Sequence, residues 1–319
     1  MTPAKVPKSG PSVMGAVAVT APITRSGQRL RRTRRSKLEG LLFASPAWLV
    51  LAPVILLPLF LSVYQSTTTE NLISVGAARQ IGLKNYFDEV ISSPDFWRSL
   101  MVTVTIMVAS LIVQIPIGLG LALALVKPFR GRGAVQAGIV VPMLLTPVAI
   151  GLMWKFLANP DLGVIRWVAS AVDPSARPNL FGSAAGSLGL IVAVNSWINI
   201  PWVTIMLLAG LVGIPKELHE SAAIDGAGRI QSLVHVTIPV LMPVLAVTCA
   251  IRAVADYRMF DIVWALTKGG PGDATRNLSM LDYQQSLVFF EIGRAAAIAI
   301  VMALIALPSY QLFARMTRP

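Results

Sequence analysis

The sequence predicts an all-α polytopic membrane protein, and three observations predict it. Ionisable residues make up only 13% of the 319-residue chain, against roughly a quarter in a soluble globule. Mean hydropathy is +0.69. Uncharged apolar runs long enough to cross a bilayer recur along the chain, and the basic residues gather in alternate connections between them.

Taken in order, residues 1–36 hold Pro3, Pro7, Pro22, small residues and cations, with little to bury. They predict a disordered cytoplasmic tail whose polybasic end faces anionic lipid headgroups. Residues 37–319 form the transmembrane domain. Its first run, Leu41 to Tyr64, would reach about 36 Å as a helix, whereas a signal-peptide core is roughly 7 to 15 residues. It is therefore read as a retained span. The twin arginines Arg31, Arg32 and Arg34, Arg35 are read as topology charges rather than an export signal.

Further spans are expected over 100–126, 138–157 (with Pro142 and Pro147 inside), 187–212, 240–267 and 291–315. Proline is tolerated in such helices because neighbouring groups satisfy the freed carbonyls. Six spans leave both ends on one side. Taken together, the stretch before the first span, the KPFRGRG turn after the second span, the 213–239 connection and the C-terminus hold 16 Lys and Arg against 4 acids. The other three connections carry slightly more acids than bases. The excess of positive charge marks the cytoplasmic side, so both termini are placed there, in a cell membrane.

The formal net charge of +12 does not indicate nucleic acid, because the cations form no stripe interleaved with aromatics. One cysteine, Cys249, excludes an internal disulfide. His219 and His235, both in a polar connection, make a buried metal centre unexpected. No GxxxxGK[ST] loop is present; LTKGGPGD, from Leu266 to Asp273, lacks the Lys-Ser/Thr pair and falls on the outer side. The spans also lack clustered His or repeated carboxylate motifs, so neither a catalytic residue nor a metal site is assigned.

The 213–239 connection is far longer than a connector requires. It reads as two short helices, with Pro215 in the first turn of the first and Glu217 and Glu220 near its positive end. Asp225-Gly226 reads as the turn between them. Leu218, Ile224, Leu233 and Val234 are apolar within a polar segment. Composition alone leaves two readings open: a docking surface, or an amphipathic helix lying on the bilayer.

This segment resembles the EAA loop of binding-protein-dependent ABC importer permeases. That pattern is Glu-Ala-Ala, three residues, Gly, nine residues, then Ile-x-Leu-Pro. Glu220, Ser221 and Ala222 match its opening, Gly226 its glycine, and Val236, Thr237, Ile238 and Pro239 its close. Ser221 for alanine and two aliphatic exchanges are the departures. IPKELHESAAIDGAG and the Phe260–Thr275 stretch FDIVWALTKGGPGDAT are similar to the carbohydrate-uptake branch, and specifically to the first permease of maltose- and glycerol-phosphate-type systems. The resemblance covers residues 40 to 315, without the large outer insertion of the maltose member.

What the resemblance implies is a type I ABC importer transmembrane fold with six helices. It also implies a second related permease, two cytoplasmic ATPase subunits that bind ATP and Mg, and an extracytoplasmic solute-binding protein. This chain itself would bind no cofactor. Glu220, Ser221, Ala222, Asp225, Gly226 and Pro239 would form the ATPase-coupling segment. ATP-driven closure would pass through it to the membrane helices as alternating access.

For a sugar-like solute, hydrogen-bonding and aromatic groups within spans are the candidates. Asn195, Trp197, Asn199 and Trp202 lie in the fourth span, and Arg252, Asp256 and Tyr257 in the fifth. Arg252 and Asp256 are four apart and can pair along one face; intramembrane charges face a protein or water-filled interior. Helix packing and a solute pathway both account for them at this stage. Asn195 and Asn199 share a face. Trp154 and Trp264 fit interface anchors. The alternatives to a sugar permease are a permease for another solute class and a non-transporting scaffold or sensory subunit.

Overall fold

A computed structural model describes residues 34–73, 78–175 and 178–316, with side-chain surroundings from Ser45 to Leu307 within those ranges. Most of the predicted 1–36 tail lies outside the described residues. The chain divides into two compact units, Met1–Leu57 and Pro58–Pro319.

Helix α1 (Arg34–Ser66) contains the first predicted span. Over Ser45–Ser66 its residues are apolar, and almost all are exposed. A helix that is apolar all round is a stable solution in lipid or against another protein, not in water. Beyond it, Asn85 is buried and donates to the carbonyls of Ser66 (2.9 Å) and Thr68 (2.8 Å), which ties the start of the connection after α1 together.

Helix α2 (Pro94–Val126) starts with proline in its first turn and Ser93 as N-cap, whose side chain accepts from the Phe96 N–H. The third predicted span is broken. A helix α3 (Arg132–Val140) passes through a 3-10 turn (Val141–Leu144) and resumes as α4 (Pro147–Leu157), bent by 94°. Leu145 and Thr146 are extended, as a residue preceding proline prefers. The two prolines thus turn the chain rather than merely kinking it.

The connection after α4 contains a further helix, α5 (Val164–Val172). The fourth predicted span is α6 (Ala184–Val212). The 213–239 connection holds α7 (Lys216–Ile224) and the short α8 (Arg229–Ser232). A π-helical turn (Leu233–Thr237) joins α8 directly to α9 (Ile238–Tyr257). The predicted fifth span is divided: α9 ends at Tyr257, and a separate α10 (Asp261–Leu266) follows. After the glycine-rich loop come α11 (Leu278–Tyr283) and α12 (Ile292–Met316). Four helical stretches of the described residues are long and apolar enough to cross a membrane, the bent α3–α4 pair makes a fifth, and Ile292–Leu307 is a shorter apolar stretch.

The core lies where α2, α6 and α9 meet. One cluster packs Ala122, Val203, Leu207 and Leu241; another joins Ile150, Ile191, Val194, Val263 and Leu266 under α4 and α10. Gly118 makes the α2–α6 approach possible. A Cβ there would fall 2.5 Å from Val203 Cγ1, far inside van der Waals contact. That closeness lets polar side chains of α2 reach α9.

Candidate functional site

Arg252 and Asp256 stand one turn apart on α9, both buried, and form an ion pair. Every further partner comes from α2 or α6. Arg252 donates through Nε to Gln114 Oε1 at 3.0 Å and through Nη1 to Asn199 Oδ1 at 2.9 Å. Asp256 Oδ1 also accepts from Asn195 Nδ2 at 3.0 Å, and its Oδ2 lies 3.4 Å from Gln114 Nε2. Asn195 donates its other N–H to Ser110 Oγ at 3.0 Å. Asn199 Nδ2 donates back to the Asn195 carbonyl at 2.8 Å. Each charge is compensated and each amide has partners, as survival in a low-dielectric interior requires.

The network forms one wall of a cavity of about 370 Å³. Asn195, Asn199, Arg252 and Asp256 line it, Arg258 and Asp261 lie at its α9–α10 corner, and Pro147 at the start of α4 borders it. The 94° break in the third span therefore opens beside the buried charges.

Four of the seven predicted pathway residues meet here: Asn195, Asn199, Arg252 and Asp256. The other three do not. Trp197 packs edge-on against Trp154, with ring centroids 5.8 Å apart. Trp202 packs on the Val203–Leu207 cluster. Tyr257 belongs to a cluster with Phe96 and Leu278, and its hydroxyl donates to the Met302 carbonyl at 3.2 Å. Asparagine and charge spacing pointed to side chains that the structure brings together. Aromatic character did not, because in a helical bundle it packs equally well on any interior face. Gln114 and Ser110 were missed. Their signal was present: two polar residues four apart in the apolar α2 run VASLIVQIPIG, hence on one face.

The glycine-rich loop is pinned from several sides. Thr267 and Thr275 hydroxyls meet at 2.7 Å, and Asn277 caps α11 through the Met280 N–H at 3.0 Å while donating to the Met259 carbonyl. Arg276 bridges Asp95 at 2.7 Å and Asp273 at 3.2 Å. The Leu278 N–H donates to Thr103 Oγ1 of α2 at 2.9 Å. These bonds fix the end of α9 and the cavity corner against α2.

The predicted coupling residues are brought together on the 213–239 segment. Pro215 is the N-cap of α7 rather than its first helical residue. At the other end Asp225 is the C-cap, and Gly226 takes φ +79°. The Gly226 N–H donates to the Ala223 carbonyl (3.1 Å) and the Ala227 N–H to the Ala222 carbonyl (2.9 Å), a Schellman closure. His219 Nδ1 lies 3.2 Å from Ser232 Oγ, linking α7 to α8. Glu220, Ser221, Asp225, Gly226 and Pro239 are exposed and Ala222 is partly so. Ile224 is 86% and Ile230 77% exposed, with Leu218 and Val234 also uncovered. An apolar surface on a rigid polar segment is the mark of an interaction site.

Residues 114–318 match the family model described as "Binding-protein-dependent transport system inner membrane component". A probable ABC transporter permease protein y4oQ of Sinorhizobium fredii is 31% identical over 285 residues, covering 89% of this chain and 91% of that protein. The trehalose/maltose transport system permease protein MalF of Thermococcus litoralis is 32% identical over 266 residues, covering 83% of this chain and 89% of its own. A bacterial alginate ABC transporter, solved in complex with an alginate pentasaccharide-bound periplasmic protein, contains a chain of the same fold. The TM-score is 0.76, at 23% identity over 90% of this chain and 97% of that one. The matched region contains α6, α9 and the α7–α8 segment between them, and this multi-pass chain belongs to the inner membrane components of binding-protein-dependent transport systems.

Proposed function

We propose that this chain is one permease subunit of an ATP-driven importer for a sugar or sugar-like solute. It spans the cell membrane six times with both termini cytoplasmic, beside a second related permease. Two ATPase subunits bind ATP and Mg and carry out hydrolysis, and an extracytoplasmic binding protein delivers the solute. This chain contributes no catalytic group.

The observation that carries the reading is the α7–α8 segment. Its exposed Ile224 and Ile230, its Schellman turn at Gly226 and its direct continuation into α9 suit a lever held by a cytoplasmic motor. Glu220, Ser221, Ala222, Asp225, Gly226 and Pro239 form the ATPase contact. Asn195, Asn199, Arg252 and Asp256 face the solute pathway, while Trp197, Trp202 and Tyr257 support its walls. The trehalose/maltose relative supports a sugar as cargo. Purification from the native host in mild detergent is expected to recover a second permease, an ATPase and a solute-binding protein. Reconstituted with that binding protein, the complex is expected to take up a sugar only when ATP is supplied on the ATPase side. A chain recovered alone under conditions that preserve other importers would overturn the proposal.

A further inference from the structure

We infer that the cavity beside Arg252 selects a neutral polyhydroxylated solute and discriminates against anionic ones such as sugar phosphates and uronates. The inference rests on the reading of this cavity as the solute pathway. It begins with charge. The ionisable residues lining the cavity are Arg252, Arg258, Asp256 and Asp261, two of each sign, so the lining has no net charge to offer an anion.

The second step concerns Arg252, whose guanidinium would be the natural anchor for a phosphate or carboxylate. Its charge is already engaged. All three nitrogens have partners within the chain: Nε on Gln114, Nη1 on Asn199 and Nη2 on Asp256. A guanidinium has five N–H donors, so two remain for hydroxyl acceptors. They come without unpaired positive charge, because Asp256 lies against the same group. An anion drawn to Arg252 would approach the Asp256 carboxylate too, and burying it there would leave one negative charge uncompensated.

A hydroxyl meets no such penalty. It donates and accepts at once, and this wall offers both capacities: two spare N–H donors on Arg252, and remaining lone pairs on the Asp256 carboxylate and on the Asn195 and Asn199 amide oxygens, whose own N–H groups are already engaged. The rest of the lining is apolar, with Ile198, Met259 and Phe260 among it, a surface suited to the C–H face of a sugar ring.

The test uses the complex co-purified from its host. In proteoliposomes with ATP and the binding protein, uptake is compared for trehalose, maltose, their 6-phosphates and a uronic disaccharide. The expected result is ATP-dependent uptake of a neutral member at least about tenfold above its phosphorylated counterpart, as adding an uncompensated charge to a low-dielectric site implies. Equal or greater uptake of an anionic member overturns the inference and leaves the importer reading standing. Absence of uptake for every sugar, neutral or charged, removes the sugar-importer reading and the inference with it.

The second arm locates the selectivity. The complex without binding protein, held in nanodiscs, is titrated by saturation-transfer NMR with trehalose and trehalose 6-phosphate. Asp256→Asn and Asp261→Asn each leave the lining with an excess positive charge. Each is expected to raise the anion-to-neutral affinity ratio by at least about fivefold. Asp261 is exposed, so its variant remains informative if the buried Asp256→Asn change prevents folding. A ratio unchanged in every variant that assembles overturns the inference even when uptake favours neutral sugars, because the choice would then be made elsewhere in the importer.

Discussion

Gly226 offers the sharpest perturbation, because two costs that usually mix can be separated there. Its φ of +79° closes α7, and a non-glycine residue in the left-handed region costs roughly 1–2 kcal/mol. Asparagine tolerates that region far better than valine, whose branched Cβ makes it a true outlier. Apart from the residues on either side of it in the chain, nothing lies within 4 Å of where a Cβ would stand, so packing from the rest of the chain presents no steric obstacle. Gly226→Asn is therefore expected to melt close to wild type, and Gly226→Val somewhat lower. If the ATPase comes up against this turn, both side chains obstruct it regardless of backbone strain. Both variants are then expected to lose most ATP-driven uptake and to recover less ATPase on purification. Uptake in proteoliposomes, subunit stoichiometry and detergent melting curves on the same preparations separate the two effects. Wild-type uptake and full ATPase recovery from either variant would refute the close-approach argument, whatever the melting temperature.

Other consequences follow from the same geometry. Arg252→Leu leaves Asp256 buried without its cation and is expected to cost about 3–5 kcal/mol. Arg252→Leu with Asp256→Leu should regain most of that loss in detergent melts, and strictly additive losses would contradict the ion pair. Gly118→Ala places a methyl 2.5 Å from Val203 Cγ1; overpacking of this kind costs about 1–3 kcal/mol. Val203→Ala is expected to suppress it, and a Gly118→Ala protein as stable as wild type would show that the helices do not approach so closely. Burial pushes the Glu89 carboxyl above its ordinary value, with Arg294 opposing at 3.2 Å. The folded state thus holds this proton more tightly than the unfolded chain, so its contribution to stability falls as pH rises from the unfolded value through the folded one. Glu89→Gln should flatten that part of the stability–pH curve, and an unchanged curve would exclude the effect.

What the sequence made legible depended on whether a local rule and the tertiary arrangement agreed. The α7–turn–α8 unit was readable because Pro215, Glu217 and Asp225-Gly226 are local determinants acting on a segment with little tertiary packing of its own. The Arg252–Asp256 pair was readable for the same reason: both partners lie on one helix. Gln114 and Ser110 join the network from more than 130 and 80 residues away, across the approach that Gly118 permits. Nothing local specifies that register. In the third span, Pro142 and Pro147 announced a bend, but packing decides whether two prolines kink a helix or turn it through 94°. The break after Tyr257 carried no proline or glycine to announce it. The connections holding Asn277 to the Met259 carbonyl and Arg276 to Asp95 close that corner from distant residues.

Helix α8 and the cavity are joined by continuous helix. From Arg229, α8 passes through the π-helical turn into α9 without a break as far as Tyr257. Twenty-nine residues at 1.5 Å each make a rod of about 43 Å. Its α8 end bears on α7 through His219 and Ser232; its other end carries Arg252 and Asp256. The bonds those two make to Gln114, Asn195 and Asn199 all cross from α9 to α2 or α6. In the proposed importer, a motor that shifts α7 and α8 cannot be absorbed by a flexible linker along this path. The displacement has to appear either as a bend at Pro243, the proline inside α9, or as motion of one side of the polar network against the other. A polar network can accommodate such motion only by exchanging partners, since a buried charge left unpaired is too costly to persist. Under that proposal, solute hydroxyls entering the cavity would supply the partners for the exchange, joining cargo recognition to the stroke through Arg252 and Asp256.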